Sequence, residues 1–276
     1  MPARAIVITG STRGIGLGLA RHFLMRGCNV VVSGRSQPGC DAAAAAIQSS
    51  ATGGARAVGV ACDVTDPRML EALWRKSAAA LGRIDIWINN AGAINTMTGV
   101  TTLDPGEILT VPRTNLIGTI HGCRVALNGM TAQDQIDGVK GAIYNFEGFG
   151  SDGTKTEGLS VYGATKFGLT YFTKSLIKET KGGPVLVGFM SPGLVTTDML
   201  LRAGRELAPN RWAKTKKIYR IIANDVDTVA AWLVDRVLAN RRHGAHIAWL
   251  TRIKAVGRFI RALFIKPKPL PELEAA

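Results

Sequence analysis

Short apolar runs alternate along this chain with longer stretches in which apolar residues recur every three or four positions. The first run, Ala5 to Thr9, is β-branched and closed by glycine, which predicts a buried strand. From Ile15 to Met25 the spacing becomes helical, and Gly27 ends it. The same exchange then repeats. Strands are predicted at Asn29–Arg35, in "ARAVGVACDV", in "RIDIWINNAG", in "GAIYNFEG" and in "PVLVGFM", with "AHIAWL" as a seventh. Helices are predicted from Asp41 to Ala51, from Asp66-Pro67 to Leu81, from Asp104 to Gly129 with a break near Pro112, and from Ser160 to Lys181. A last one lies in "DVDTVAAWLVDRVLA".

Strands that are apolar throughout, each followed by a helix, imply a parallel sheet buried on both faces. Right-handed crossovers then give a single-domain doubly wound α/β fold of the Rossmann type, expected over residues 1–249. A basic amphipathic helix is predicted at 250–265, and the proline-rich tail, residues 266–276, is expected to be extended or flexible.

The 276 residues are 46% hydrophobic and 20% charged, which excludes a disordered chain. The formal charge of +14 is uneven: from Arg202 onward there are 16 basic and 6 acidic residues. Such a surplus suits an anionic partner or a solubilising surface. Cys28, Cys40, Cys62 and Cys123 share no metal-type spacing and read as free thiols. No metal is expected. With no visible secretion signal, the expected location is the cytoplasm or the soluble phase of an organelle, including the plastid stroma of a plant or alga. No apolar run is long enough to span a bilayer, so any membrane contact would be peripheral.

Between the first strand and helix lies "TGSTRGIG", a turn whose Gly10, Gly14 and Gly16 let backbone amides and the helix N-terminus approach a pyrophosphate. "NNAG" follows the fourth strand and "YGATK" opens a later helix. Tyr162 and Lys166, four positions apart, share one helix face. An ammonium beside a phenol, which titrates near 10 when free, favours the phenolate and makes the tyrosine a workable proton donor and acceptor. The second strand ends in "SGRS" with no carboxylate to hold ribose hydroxyls, whereas Arg35 suits a 2′-phosphate and Arg13 is a second cation in reach. NADPH/NADP+ is therefore expected over NAD(H).

The three motifs, in this order and at these intervals over residues 4 to 200, resemble the short-chain dehydrogenase/reductase family. The resemblance implies that Tyr162 protonates a carbonyl oxygen as hydride arrives. It also implies that Lys166 holds the nicotinamide ribose and tunes Tyr162, and that Asn115 supports a proton-relay water. Cofactor contacts are implied for Gly10, Ser11, Thr12, Arg13, Gly14, Ile15 and Gly16 in the turn, and for Arg35 and Ser36 after the second strand. They are also implied for Asp63 and Val64 near the adenine, for Asn89, Ala91 and Gly92 at the ribose, and for Pro192, Gly193, Val195 and Thr197 in "SPGLVTT".

The chain departs from the family at one point. Where a serine normally follows the fifth strand to bind the substrate carbonyl, "NFEGFGSDG" places Gly148. Ser151, if the loop folds back, or Glu147 would have to take its place. The same loop, with "VYGATK", "SPGLVTTDMLL" and "IAWLTRIKAVGRFI", resembles the chlorophyll(ide) b reductase branch, which reduces a 7-formyl group to hydroxymethyl with NADPH. The expected partner is thus a small carbonyl substrate, with a chlorophyll pigment as the specific case. A generic carbonyl reductase or alcohol dehydrogenase stays open, as does an NADP-binding or membrane-associated protein without turnover. The resemblance also implies a homodimer or homotetramer formed through the helices after strands four and five.

In the C-terminal helix Leu250, Ile253, Val256, Ile260, Leu263 and Phe264 form one face, and Lys254, Arg258 and Arg261 another. Packing of the apolar face on the body or on a sister subunit is preferred, with an anionic membrane surface or a lid over an apolar ligand as alternatives. His243 and His246 read as surface histidines, and Trp212 as a lid residue facing the substrate. "RWAKTKKIYR" is assigned to that lid, and nucleic acid is not expected.

Overall fold

The computed structural model describes residues 3–205, 209–266 and 269–274. Its elements alternate as β1 (Ala5–Ile8), α1 (Gly14–Leu24), β2 (Asn29–Gly34), α2 (Gln37–Gln48), β3 (Ala57–Ala61), α3 (Pro67–Leu81) and β4 (Ile86–Asn89). After β4 come α4 (Pro105–Pro112), a π-helical turn (Arg113–Ile117), α5 (Gly118–Thr131), β5 (Gly141–Phe146), α6 (Ser160–Glu179) and β6 (Val185–Ser191). The chain then forms α7 (Asp198–Arg205), α8 (Pro209–Ile222), α9 (Val226–Ala239), β7 (His246–Ala248), α10 (Arg252–Ala262) and one last turn, α11 (Pro271–Glu274).

The seven strands run β3-β2-β1-β4-β5-β6-β7, and every pairing is parallel. Because β4 lies beside β1 on the side away from β2, the winding direction reverses there. The reversal opens a crevice at the carboxyl ends of β1 and β4, where open α/β sheets receive ligands.

Strand residues alternate between two cores. Ile6, Ile8, Val30 and Val32 pack with α1, α2 and α9, whereas Val7, Val31, Trp87 and Ile143 pack with α3 and α5. Both sets are fully buried, which is why the strands read as continuous apolar runs. Asp66, Asp104 and Asp225 start their helices by accepting first-turn amides, with Pro67 and Pro105 just inside two of them. Each such cap is worth about 1 kcal/mol.

A buried polar chain crosses the sheet and fixes the elements that carry the site. Asn89 Nδ2 donates to Asn145 Oδ1 at 2.8 Å, Asn145 Nδ2 donates to Thr173 Oγ1 at 2.9 Å, and Trp87 Nε1 donates to Asn89 Oδ1 at 2.8 Å. The thiol of Cys123 also faces Asn145 Oδ1, at 3.2 Å. Strands β4 and β5 and helices α5 and α6 are thereby tied in one register, and an unmet partner in such a network is costly.

The fold class and all seven strands match the sequence-based expectation, and the differences are local. Helix α2 begins at Gln37 rather than Asp41, because Pro38 occupies its first turn. The break near Pro112 is a π turn that leads without interruption into α5.

Two expectations for the C-terminus are corrected. Part of the tail is neither extended nor exposed: residues 271–274 form α11, and Leu273 is fully buried with Leu201, Trp212 and Leu270. Residues 267, 268, 275 and 276 of that tail lie outside the described residues. Helix α10 does not lay its apolar face on the body either. Its attachments are basic, with Arg258 donating to Ile222 O and Asn224 Oδ1, Lys254 donating to Trp249 O, and Arg252 paired with Asp152.

Candidate active site

At the crevice the chain turns from β1 into α1 through Gly10 (φ +63°) and Gly14 (φ +56°), a left-handed conformation that favours glycine. At Gly10 an added Cβ would meet Ala91 Cα at 2.7 Å; at Gly16 it would meet Asn90 Nδ2 at 2.5 Å and Gly10 O at 2.6 Å. Gly10 and Gly16 therefore let β1, the segment after β4 and the start of α1 close together. Arg13, the N-cap of α1, makes no side-chain cap bond, so the positive end of the helix dipole is left for an anion. The turn fits a pyrophosphate on the strength of this cradle.

Several expected contacts are within this cradle, and others support it from behind. Thr197 packs against Gly14, and Gly34 at the end of β2 lies against Thr12. Arg13, Arg35 and Ser36 are exposed, and neither arginine makes an ion pair among the described residues. The hydroxyl of Ser11, one of the expected cofactor contacts, donates to Ile8 O and accepts from Ser33 N–H, joining β1 to β2. Asp63 accepts from the Thr65 amide and hydroxyl through one oxygen, and Val64 packs on Gly118. Val195 is buried and bridges to Asn224. The Asn89 side chain points into the polar chain within the sheet, not into the ribose region. Asn90 takes up the contact at that strand end by donating to Thr9 O and Gly10 O, each at 2.9 Å.

Past β5 the chain meets α6. Tyr162 and Lys166 are both buried, at 9% and 6% exposure. Lys166 Nζ donates to Phe146 O at 3.1 Å and lies 5.9 Å from the Tyr162 ring centre. Burial depresses the Lys166 ammonium to about 8, partly offset by the Glu147 carboxylate. Burial likewise pushes Tyr162 up to about 12. Burial thus opposes the pull toward phenolate expected from the Lys166 ammonium.

The loop after β5 explains the missing serine. A Cβ on Gly148 would collide with Tyr162 Oη and stand 3.0 Å from Lys166 Cε. A side chain there would need the tips of Tyr162 and Lys166 to shift. Three residues on, the turn returns: Gly148 N–H donates to Ser151 Oγ at 3.1 Å and Ser151 N–H donates to Gly148 O at 3.1 Å. Ser151 is buried, and the fold-back sets its hydroxyl beside the residue that touches Tyr162. Glu147 turns elsewhere, with His246 Nε2 at 2.7 Å from its Oε2, and that contact raises the His246 pKa.

Asn115 is buried in the π turn. Its Oδ1 accepts from Ala93 N–H at 2.8 Å, and its Nδ2 donates to Ala93 O and to Thr165 Oγ1, linking the "NNAG" segment to α6. Two residues that motif reading passed over also position the site. Buried Asn95 accepts from Tyr162 N–H at 3.0 Å and donates to Gly158 O, and His246 holds Glu147 from β7. Asn95 carries no motif, and His246 is distant in sequence from its partner. Trp212 does not line the cleft: it packs with Leu201, Leu273 and Tyr219, binding α7, α8 and α11 to one another. His243 is half-buried between α6 and β6, contacting Ile177 O and Val187 N–H.

A doubly wound sheet with a glycine cradle at its switch point and a buried tyrosine–lysine pair beside it defines a dinucleotide-binding α/β protein equipped for proton transfer. The chain belongs to the short chain dehydrogenase family, whose model matches residues 4–207. It is 37% identical over 262 residues to the chloroplastic probable chlorophyll(ide) b reductase of Arabidopsis thaliana, covering 90% of this chain and 51% of that protein. A further chloroplastic chlorophyll(ide) b reductase of Arabidopsis thaliana is 36% identical over 92% of this chain and 72% of its own length. Carbonyl reductase family member 4 of Xenopus laevis is 32% identical over 71% of this chain and 78% of its own. The chain thus spans about half the length of the first of these relatives. Among solved structures, levodione reductase shares the fold with TM-score 0.79 at 22% identity, over 90% of this chain and 96% of its own.

Restoring the family's usual residue provides a direct check on the loop. Gly148→Ser is expected to destabilise the protein by about 1–3 kcal/mol through overpacking against Tyr162. Chemical denaturation of the two proteins measures this, and an unchanged or raised stability would contradict the close approach.

Proposed function

We propose that this chain is an NADPH-dependent reductase of a carbonyl group, and that its substrate is the formyl group of a chlorophyll(ide) b pigment. The observation that carries the reading is the folded-back loop at Gly148, found in a chain whose chlorophyll(ide) b reductase relatives match it over nine-tenths of its length. The glycine turn from Gly10 to Gly16 holds the pyrophosphate, and Arg13, Arg35 and Ser36 hold the 2′-phosphate. Asp63, Val64, Ala91, Gly92, Pro192, Gly193, Val195 and Thr197 line the remainder. When bound, the cofactor supplies a hydride to the carbonyl carbon.

The chain's own residues handle the oxygen and the proton. Ser151 Oγ donates a hydrogen bond to the carbonyl oxygen in place of the usual serine, and Tyr162 gives that oxygen its proton. A phenol carries its proton at neutral pH, so Tyr162 enters the reducing direction with the proton it gives. Lys166, braced on Phe146 O, keeps a cation beside the ribose and the phenol, and Asn115 holds the π turn that supports proton return. Glu147 acts on charge alone: paired with His246, it favours the Lys166 ammonium.

Exposed Leu109, Ile117, Phe167 and Tyr171 on α4, the π turn and α6 support a homodimer or homotetramer formed through these helices. Two of the relatives are chloroplastic, which favours the plastid for a pigment reductase. The carbonyl reductase relative favours a second reading, a reductase of simple aldehydes.

An absorption time course with NADPH and chlorophyllide b, run beside an aromatic aldehyde, separates the readings. A pigment shift matched by NADPH loss, abolished in Tyr162→Phe, is the expected result. Turnover of the aldehyde alone would discard the pigment, and no turnover of either would leave a binding protein. Arg35→Ala is expected to weaken NADPH binding by about ten- to a hundredfold, the loss of a charge-assisted hydrogen bond, and NADH much less. Equal weakening in a titration of both would contradict the choice of cofactor.

A further inference from the structure

Helix α10 presents its oily side to solvent. Ile253 (86% exposed), Val256, Ile260, Leu263 (79%) and Phe264 (83%) follow helical spacing along one face, and no residue of the helix is fully buried. Exposed apolar residues usually stand singly, so a row of them on one helix calls for a partner.

The charges around the row say what that partner is. Residues 250–266 contain five basic side chains and no acid, and α8, which packs beside α10, contains another five and no acid; of these, Arg252 pairs with Asp152 and Arg211 with Glu157. A twofold contact between two copies through this face would set cations against the same cations, which like-charge repulsion opposes. A nucleic acid would answer the charge but not the apolar row between the cations. An anionic bilayer surface answers both, taking the apolar side chains below its headgroups and the exposed Arg261, Lys266, Lys214 and Lys217 among its phosphates. The helix is too short to cross, and none of the described helices is long and apolar enough to do so.

We propose that α10, with the basic face of α8, docks this protein on an anionic lipid surface with the rim of its active site toward the lipid. The attachments of α10 place it on that rim. Arg252 pairs with Asp152, next to Ser151 in the loop after β5, at 3.2 Å. Arg258 holds Ile222 O at 2.9 Å and Asn224 Oδ1 at 3.0 Å, and Asn224 in turn holds the backbone of Thr196 between Val195 and Thr197. Leu250, just before the helix, packs on Gly193. A lipid-bound apolar substrate would thus meet the site from the membrane side. The docking itself does not depend on which carbonyl is reduced.

Flotation with vesicles of phosphatidylglycerol and phosphatidylcholine in equal parts, and of phosphatidylcholine alone, tests this. The unmodified protein is expected to float with the anionic vesicles only, and less so as salt rises. The triple variant Ile253→Glu, Leu263→Glu, Phe264→Glu changes only exposed positions, and its thermal midpoint should match that of the parent. Its partition onto anionic vesicles is expected to fall on the order of a hundredfold. Failure of the parent to float with either vesicle would overturn the proposal, as would binding that survives the triple substitution. If the parent ignores vesicles and only its oligomeric mass, by light scattering, falls in the variant, the face joins copies of the chain and the proposal is wrong.

Discussion

Where the chain leaves β5 it runs so close to α6 that Gly148 has Tyr162 Oη and Lys166 Cε at the place a side chain would occupy. The approach follows from deeper packing. Asn145 on β5 is bonded both to Asn89 on β4 and to Thr173 on α6, so strand and helix cannot separate without stranding buried polar groups. Lys166 completes the clamp by donating to Phe146 O, the carbonyl at the strand's end. With that distance fixed, a side chain at 148 would press on the tips of Tyr162 and Lys166. The nearest hydroxyl comes from farther along, in the turn closed by Gly148 and Ser151.

Desolvation follows from the same packing and sets the chemistry. Tyr162 is raised and Lys166 is lowered by one cause, burial at the join of β5 and α6. The result is a neutral phenol, able to give a proton, beside an ammonium near the edge of its range. Glu147 moderates that edge from the β7 side, where His246 holds its carboxylate.

Much of this was legible in the residues, for identifiable reasons. A parallel sheet buried on both faces leaves continuous apolar runs, so the strand order of events and the glycine turn could be read directly. Tyr162 and Lys166 were readable because four-residue spacing on a helix is a local property. Contacts that join distant segments were not. Nothing near Asn95 marks it as the acceptor of the Tyr162 amide, and nothing near His246 marks Glu147 as its partner. The Asn89 side chain bonds Asn145 inside the sheet and the Ser11 hydroxyl joins two strands, partners that no local pattern announces. The faces of α10 were visible in its periodicity, but which face meets the body was not, because the anchors are arginines reaching carbonyl oxygens.

The claim at the centre of this account is that Ser151, brought back by the turn, holds the carbonyl oxygen that Tyr162 protonates. Single-turnover reduction by Ser151→Ala, started from the preformed NADPH complex, tests it most directly. The account expects the rate of the hydride step to fall by about a hundredfold or more, as when an oxyanion donor is removed, with NADPH affinity unchanged. A step as fast as in the parent would contradict it and leave the carbonyl oxygen to Tyr162 alone.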